Sequence, residues 1–422
     1  MSTRAELWQR DVLVLMASRG VRAFAFSYLS VVFAIYLAQL GYSTVTVGLV
    51  FSTGYATSAL LTAVWGFLAD RYGRKNILIL LAVLTIISNL LYLFFNHLIF
   101  ILIAESIAAV GVGSSGAGGQ GGGPFNPVEQ ALLAEKCTHE NRNRVFATNA
   151  CVGSIMGSLG ALVSALPEYL QKHYGWETVA SYKPLFAMTV VFSIAIIFAY
   201  ASIDEHHVPR QKTRAEKKQP AQLSHRFGLV TKLAMLGVID NLGGGLVSPL
   251  LSYWFFLRFG VELKSLGFTF FLSYILAACS FLIAPAIARR FGVVKTMAVS
   301  HGMASTLNIL LPLAPTFSMA AGITVARSFF AYMDSPLKSS FIMGVVRPED
   351  RGSAAGITTL SRQVPVAVSP TLSAYLMHSF SLNVPIFLGG FLQLINDFSF
   401  YYLFRDIKPP EEQIAKPQPA TA

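Results

Sequence analysis

Apolar stretches long enough to cross about 30 Å of hydrocarbon recur twelve times along this chain. They lie near residues 12–38, 45–68, 76–95, 97–118, 146–166, 184–203, 228–257, 265–287, 294–313, 317–342, 353–377 and 384–404. A bilayer interior offers the backbone no water, so each stretch must close its own hydrogen bonds as a helix. The expected fold class is therefore an all-α membrane protein of twelve transmembrane helices. Charged residues make up 13% of the chain, against about 25% in an ordinary soluble domain, which excludes that class. Arg19 and Arg22 interrupt the first run, and no small-residue cleavage site follows it. It reads as a retained span rather than a secretion signal.

The net charge of +11 raises the question of nucleic acid, and the placement of the cations answers it. With the N-terminus in the cytoplasm, only Lys172, Lys183, Arg258 and Lys264 fall outside, and Arg19, Arg22, Arg327 and Arg362 lie within spans. The rest of the 32 lysines and arginines gather on the inner side, as the positive-inside rule requires. The basic excess is topological, so no nucleic-acid partner is expected. The chain reads as a multi-pass protein of the plasma (inner) membrane with both termini cytoplasmic, in contact with lipid and monomeric. Cys137, Cys151 and Cys279 are scattered and give neither a disulfide framework nor a metal site.

Between the sixth and seventh spans lies a polar, charge-rich segment, residues 204–226. It divides the chain into an N-terminal six-helix bundle (1–203), a cytoplasmic linker, a C-terminal bundle (227–407) and a tail (408–422). At one constant spacing Gly41 pairs with Gly260, Gly48 with Gly267, Tyr55 with Tyr274 and Gly73 with Gly292. Pro127 with Pro336 and Arg142 with Arg351 follow at a slightly shorter one. The pairs indicate a parallel repeat of six plus six spans.

After span two comes Gly66-Phe-Leu-Ala-Asp70-Arg71-Tyr-Gly73-Arg74-Lys75. It resembles the GxxxDRxGRR loop between helices 2 and 3 of the major facilitator superfamily, and the resemblance covers residues from about 10 to 405. It implies that family's fold of two pseudo-symmetric six-helix bundles and transport by alternating access. It also implies a gating loop, with Asp70 facing the start of helix 11 near Gly352 and Ser353, Arg71 and Arg74 joining the charge cluster, and the whole latching the two halves. The turn needs Gly73, and Gly66 suits a close helix approach. Helix 4 carries Ile107 where the family's RxxQG pattern has arginine, and Gly153-x-x-x-Gly157-Ser-Leu-Gly160 lacks the proline of the antiporter pattern.

Gly111-Val-Gly113-Ser-Ser-Gly116 formally matches a dinucleotide loop. It ends an apolar span instead of joining a strand to a helix, so it reads as helix packing followed by a flexible stretch before Pro124 and Pro127. No cofactor, no metal site and no enzymatic constellation is expected.

Ionisable groups at membrane depth are functional candidates by default. Arg19, Arg22, Glu105, Asp240, Arg327, Asp334, Arg362 and Asp397 are eight such groups. In the family resembled, helices 1, 4, 7 and 10 line the central cavity, and they carry six of them. Arginines there suit an anionic or amphipathic organic solute. Arg19, Arg22, Tyr28, Asn241, Arg327, Arg362 and Gln363 are the candidate solute site. Asp240, with Arg22 or Arg327 nearby, and Glu105 are the candidate proton carriers. The alternative is that these charges only neutralise one another. Gly243-Gly-Gly245 and Pro249 are expected to interrupt helix 7 and bend it, and His301 to be hydrogen-bonded locally. The expected function is secondary transport of a small organic solute, proton-coupled. The alternatives are a proton-driven exporter of drugs or metabolites, an uncoupled facilitator, or a transport-dead receptor or scaffold.

Overall fold

The computed structural model describes residues 10–108, 123–137, 142–204, 227–333 and 351–405. The side chains of Asp70, Arg142 and residues 351–360 lie outside the described set, as do the linker from residue 205, the glycine run, Asp334 and the tail. The described residues are helical with no β-strand. The N-terminal bundle consists of α1 (Arg10–Gln39), α2 (Thr44–Tyr72), α3 (Arg74–Phe94), α4 (Leu98–Ala108), α5 (Phe125–Glu135), α6 (Arg142–Val163), α7 (Leu166–Tyr174) and α8 (Lys183–Ala201). The C-terminal bundle consists of α9 (Phe227–Val247), α10 (Leu251–Phe259), α11 (Leu263–Phe291), α12 (Val293–Leu310), α13 (Phe317–Ala331), α14 (Arg351–Ser379) and α15 (Val384–Phe404). Among the described residues, seven helices are long and apolar enough on their own to cross a membrane. They fit a twelve-span all-α membrane fold.

The repeat is visible in backbone geometry. Gly73 joins α2 to α3 at φ 93° and ψ 141°, and its N–H donates to the Ala69 carbonyl. Gly292 joins α11 to α12 at φ 88° and ψ 151°, donating to Ala288. Both φ values lie where only glycine is comfortable. The second pair, Gly48 and Gly267, marks where the bundles touch. A Cβ on Gly48 would stand 2.4 Å from the Ala374 Cβ and 2.6 Å from the Pro370 carbonyl, and one on Gly267 would stand 2.6 Å from the Ala161 carbonyl. The α2–α14 and α6–α11 contacts thus form two matched seams between the bundles, closed by small residues as in other membrane helices.

Among the described residues, polar bonds between the bundles gather in the half of the molecule remote from the linker. Thr371 Oγ1 and Ser52 Oγ are 2.7 Å apart, and the Thr44 and Tyr253 hydroxyls 3.3 Å apart. At the surface Lys172 reaches Glu168 of its own bundle at 2.7 Å and Glu262 of the other at 2.6 Å, and the Lys264 N–H donates to Glu168. These bonds tie the two bundles together at this end.

Two expectations are corrected here. A Cβ on Gly66 would meet nothing within 4 Å, because α2 makes its close approach five turns earlier, at Gly48. The Gly243–Gly245 triplet stays inside α9, and the break falls at Ser248-Pro249-Leu250. The glycines are approach points: a Cβ on Gly243 would lie 2.7 Å from the Gly389 carbonyl of α15. Proline removes a donor and forces the break. The flexible stretch expected before Pro124 and Pro127 lies outside the described residues; from Phe125 the chain is helical as α5, with Pro127 in its first turn, where its missing N–H costs nothing.

Gly48→Ala should lower the melting temperature of the purified protein, with an overpacking cost of about 1–3 kcal/mol. Gly66→Ala should leave it unchanged or slightly raised, and equal effects of the two would contradict the geometry. Hydrogen bonds from Lys172 first, and then its charge, hold the Glu262 carboxyl below its ordinary value. The stabilisation from this depressed group is present above the ordinary carboxylate value and is lost as pH falls through the lowered one. Hydrogen exchange at residues 260–264, corrected for intrinsic rates, should therefore stay constant from pH 8 down to about 5 and rise only below about 4.

Candidate functional site

A cavity lies between the bundles. Ser30 of α1 with Phe51 and Tyr55 of α2 wall one side. Ser248 and Pro249 at the α9–α10 break, Tyr274 of α11, Thr324, Arg327 and Ser328 of α13, and Tyr332 just beyond it wall the other. The repeat-related tyrosines Tyr55 and Tyr274 thus face the same space from opposite bundles. The volume is about 50 Å³, and since a water needs about 10–15 Å³ by this measure, it suits a few waters or a small organic group.

Arg327 is the one charged side chain on this lining. It is 6% exposed, and its Nε has no hydrogen-bond partner. Among the described residues no carboxylate lies within 4 Å of it. Asp334, expected on the same face, lies outside the described residues. Burying a cation without a counter-charge is costly.

The other arginines on the expected cavity helices are placed differently. Arg22 Nη2 meets Glu129 Oε2 of α5 at 2.5 Å, Arg22 Nη1 donates to the Tyr200 hydroxyl of α8 at 2.9 Å, and the guanidinium lies 4.4 Å from the Phe125 ring centroid. Arg19 donates to Asn126 at 2.8 Å and stands 3.7 Å from Glu129. Both arginines are turned into the core of the N-terminal bundle, where they fasten α1 to α5 and α8, and neither lines the cavity. Glu129 is fully buried and is the residue missed by sequence reasoning. The glycine run before it and Pro124 and Pro127 beside it suggested a broken chain, whereas Phe125, Val128, Leu132 and Leu133 already repeat at helical spacing.

Tyr28 bonds to Thr189 at 2.7 Å within the N-terminal bundle. Asn241 donates to the Gly237 carbonyl of its own helix, and Arg362 is exposed on α14 with Gln363 half-buried beside it. None of these four is on the cavity lining. Glu105 of α4 is fully buried next to Tyr92 and Tyr55. A Cβ on Gly54 of α2 would fall 2.4 Å from its Oε2, so glycine at 54 makes room for the acid one layer behind the cavity wall.

Asp240 faces a histidine of its own bundle, while Arg22 is held by Glu129 in the other bundle. The Asp240 Oδ1 faces His301 Nε2 at 3.6 Å, and the opposite ring nitrogen of His301 meets Asp397 at 2.7 Å. At the turn between α2 and α3, Arg74 pairs with Glu135 and donates to the Ala131 carbonyl at 3.1 Å, and Arg71 lies 5.4 Å from the Tyr72 ring centroid. Lys75 binds the Ala201 and Ile203 carbonyls at the end of α8 at 2.7 Å each. The cations of Arg74 and Lys75 thus brace the N-terminal bundle internally.

Glu129→Gln should strand Arg22 as an uncompensated buried charge and cost about 3–5 kcal/mol of stability, read as a large drop in melting temperature. A melt equal to that of the unmodified protein would contradict the structural role given to this pair.

The model of the Major Facilitator Superfamily matches residues 15–332 and 233–422. An uncharacterized membrane protein of Saccharomyces cerevisiae is 22% identical over 420 residues, covering 92% of each chain. The multidrug resistance protein MdtG of Klebsiella pneumoniae is 25% identical over 58% of this chain and 57% of its own length. Among solved structures, the inward-open xylose transporter XylE from E. coli superposes with a TM-score of 0.72 at 14% identity, over 96% of this chain and 99% of that one. With the two-bundle fold already established, the family match identifies this chain as a member of the Major Facilitator Superfamily, a multi-pass membrane transporter and not an enzyme.

Proposed function

We propose that the protein moves a small organic anion across the membrane by alternating access, with Arg327 as its anchoring cation and proton movement as the driving force. The supporting observation is the buried Arg327 guanidinium, which faces a cavity between two bundles and has no acid partner among the described residues. A carboxylate there would gain charge-assisted hydrogen bonds, and Tyr55, Tyr274 and Tyr332 around it supply an apolar rim with hydroxyl tips. The small volume favours a compact solute.

Closure at the end remote from the linker corresponds to one limb of the cycle. Solute enters from the linker side, which the charge distribution assigns to the cytoplasm, as it does both termini. The partial similarity to MdtG supports export as the direction, with the proton moving inward. Asp240 and Glu105 are the coupling acids in this scheme. Asp70, in the last turn of α2, latches the linker side to the start of α14 when the remote end opens.

The test is uptake by proteoliposomes of radiolabelled organic acids and of cationic dyes, with and without a pH gradient. An organic acid should be taken up, and Arg327→Gln should reduce its transport by about tenfold or more, the equivalent of one lost charge-assisted contact. Cationic dyes as the only transported compounds, with Arg327→Gln unimpaired, would overturn the anion reading. Asp70→Asn should slow transport by about tenfold or more, beyond the loss of one ordinary contact, while expression and membrane insertion stay normal. Transport at the unmodified rate would remove the latch.

A further inference from the structure

The cavity wall is rich in hydroxyl groups, and four of them have already spent their one proton. On α13, Thr324 Oγ1 donates to the Ala320 carbonyl and Ser328 Oγ to the Thr324 carbonyl, each at 2.9 Å. Ser273 Oγ of α11 donates to the Thr269 carbonyl at 2.9 Å, and Ser30 Oγ of α1 to the Ser27 carbonyl at 2.8 Å. A hydroxyl has one donor and two acceptor sites, so what each of these groups keeps for the cavity is an acceptor. To donate to a solute it would have to give up the bond to its own helix, which gains no net bond, whereas accepting from a solute adds one. Residues 324, 327 and 328 stand at i, i+3 and i+4 and share a helix face, and all three line the cavity. That face of α13 therefore presents one cation with a neutral acceptor on either side.

We infer that the solute selected here is a small 2-hydroxy acid, with its carboxylate on Arg327 and its hydroxyl donating to Thr324 or Ser328. The inference rests on the anion site proposed above and narrows its substrate class. In such an acid the carboxylate and the hydroxyl sit on neighbouring carbons, so a receptor needs a cation and a neutral acceptor side by side. The α13 face supplies both. A plain carboxylate satisfies the guanidinium but strips water from the acceptor oxygens without replacing its hydrogen bonds. A 2-amino acid carries an ammonium into a space that already holds a cation and whose lining has no carboxylate. A dicarboxylate sets a second negative charge against hydroxyls whose protons point into their own helices. The volume of about 50 Å³ suits a compact solute.

The repeat shows what the neutral acceptor does for the cation. At the constant spacing that pairs Gly48 with Gly267 and Gly73 with Gly292, the first residue of α4, Leu98, matches the first residue of α13, Phe317. In that register the counterpart of Thr324 is Glu105. The N-terminal bundle thus carries an acid at the place where the C-terminal bundle carries a hydroxyl. An acid at 324, one turn from Arg327, would pair with the guanidinium and close the site to anions. Threonine there leaves the positive charge available to a carboxylate and still offers an oxygen to a neighbouring hydroxyl.

Equilibrium binding of radiolabelled L-lactate, propionate and L-alanine to the full chain in nanodiscs tests the inference, because the three differ only in the group beside the carboxylate. L-Lactate should bind about five- to tenfold more tightly than propionate, as one added hydrogen bond provides, and L-alanine should bind no better than propionate. The double variant Thr324→Val, Ser328→Ala should bring lactate down to the affinity of propionate and leave propionate unchanged. Arg327→Gln should weaken both acids alike. The three-ligand comparison on the unmodified protein decides the class even if a variant folds poorly. Equal binding of lactate and propionate, both weakened by Arg327→Gln, overturns the hydroxy-acid assignment and leaves the anion site standing. Tightest binding of alanine overturns it in favour of a zwitterion. If none of the three binds, the assignment fails, and the uptake screen of organic acids judges the anion site on its own.

Discussion

The cost of burying a guanidinium in a low-dielectric interior organises this molecule. Among the described residues three arginines are buried in the two bundles, and each must be compensated. Arg19 and Arg22 are compensated by the chain itself, through Glu129, Asn126 and Tyr200, and that cluster holds α1, α5 and α8 together. Arg327 has no acid among the described residues, and it is the one that opens onto the space between the bundles. The same chemistry therefore serves as a rivet in one bundle and, in the function proposed here, as a receptor in the other.

The division follows from pseudo-symmetry that is strict in backbone and loose in side chain. The hinge glycines Gly73 and Gly292, the contact glycines Gly48 and Gly267 and the cavity tyrosines Tyr55 and Tyr274 recur at matched places. The matched seams give the two bundles equivalent contact surfaces. The charges do not recur: an Arg–Glu pair fills one core, and a histidine between two aspartates fills the other. Breaking the symmetry in charge while keeping it in contact surface gives each bundle a separate task on one mechanical frame.

Much of the frame is legible in the sequence because hydrocarbon thickness and backbone satisfaction leave few options. Span positions, the repeat and the Gly73 turn follow from apolar run length and from glycine pairs at one spacing. What pairs with what inside a bundle does not follow, since it depends on how helices are rotated about their axes. Arg22 and Arg327 look equivalent in sequence, both near mid-span on expected cavity helices, yet one faces its own bundle and the other the gap. Glu129 was hidden by a glycine and proline context that reads as loop. Asp240 and His301 lie on different spans, and the helix rotations that bring them within 3.6 Å are written in neither span.

The central claim is that Arg327 is the anchoring cation of a solute site between the bundles. Electron cryo-microscopy or crystallography of the protein with 4-iodobenzoate tests it directly, because iodine marks the ligand and the carboxylate fixes its orientation. The account predicts iodine density between α2 and α11, with the carboxylate within hydrogen-bond distance of the Arg327 guanidinium and Tyr55 and Tyr274 flanking the ring. Density for the carboxylate on Arg22 or Arg19 with Glu129 displaced, and none at Arg327, would contradict it.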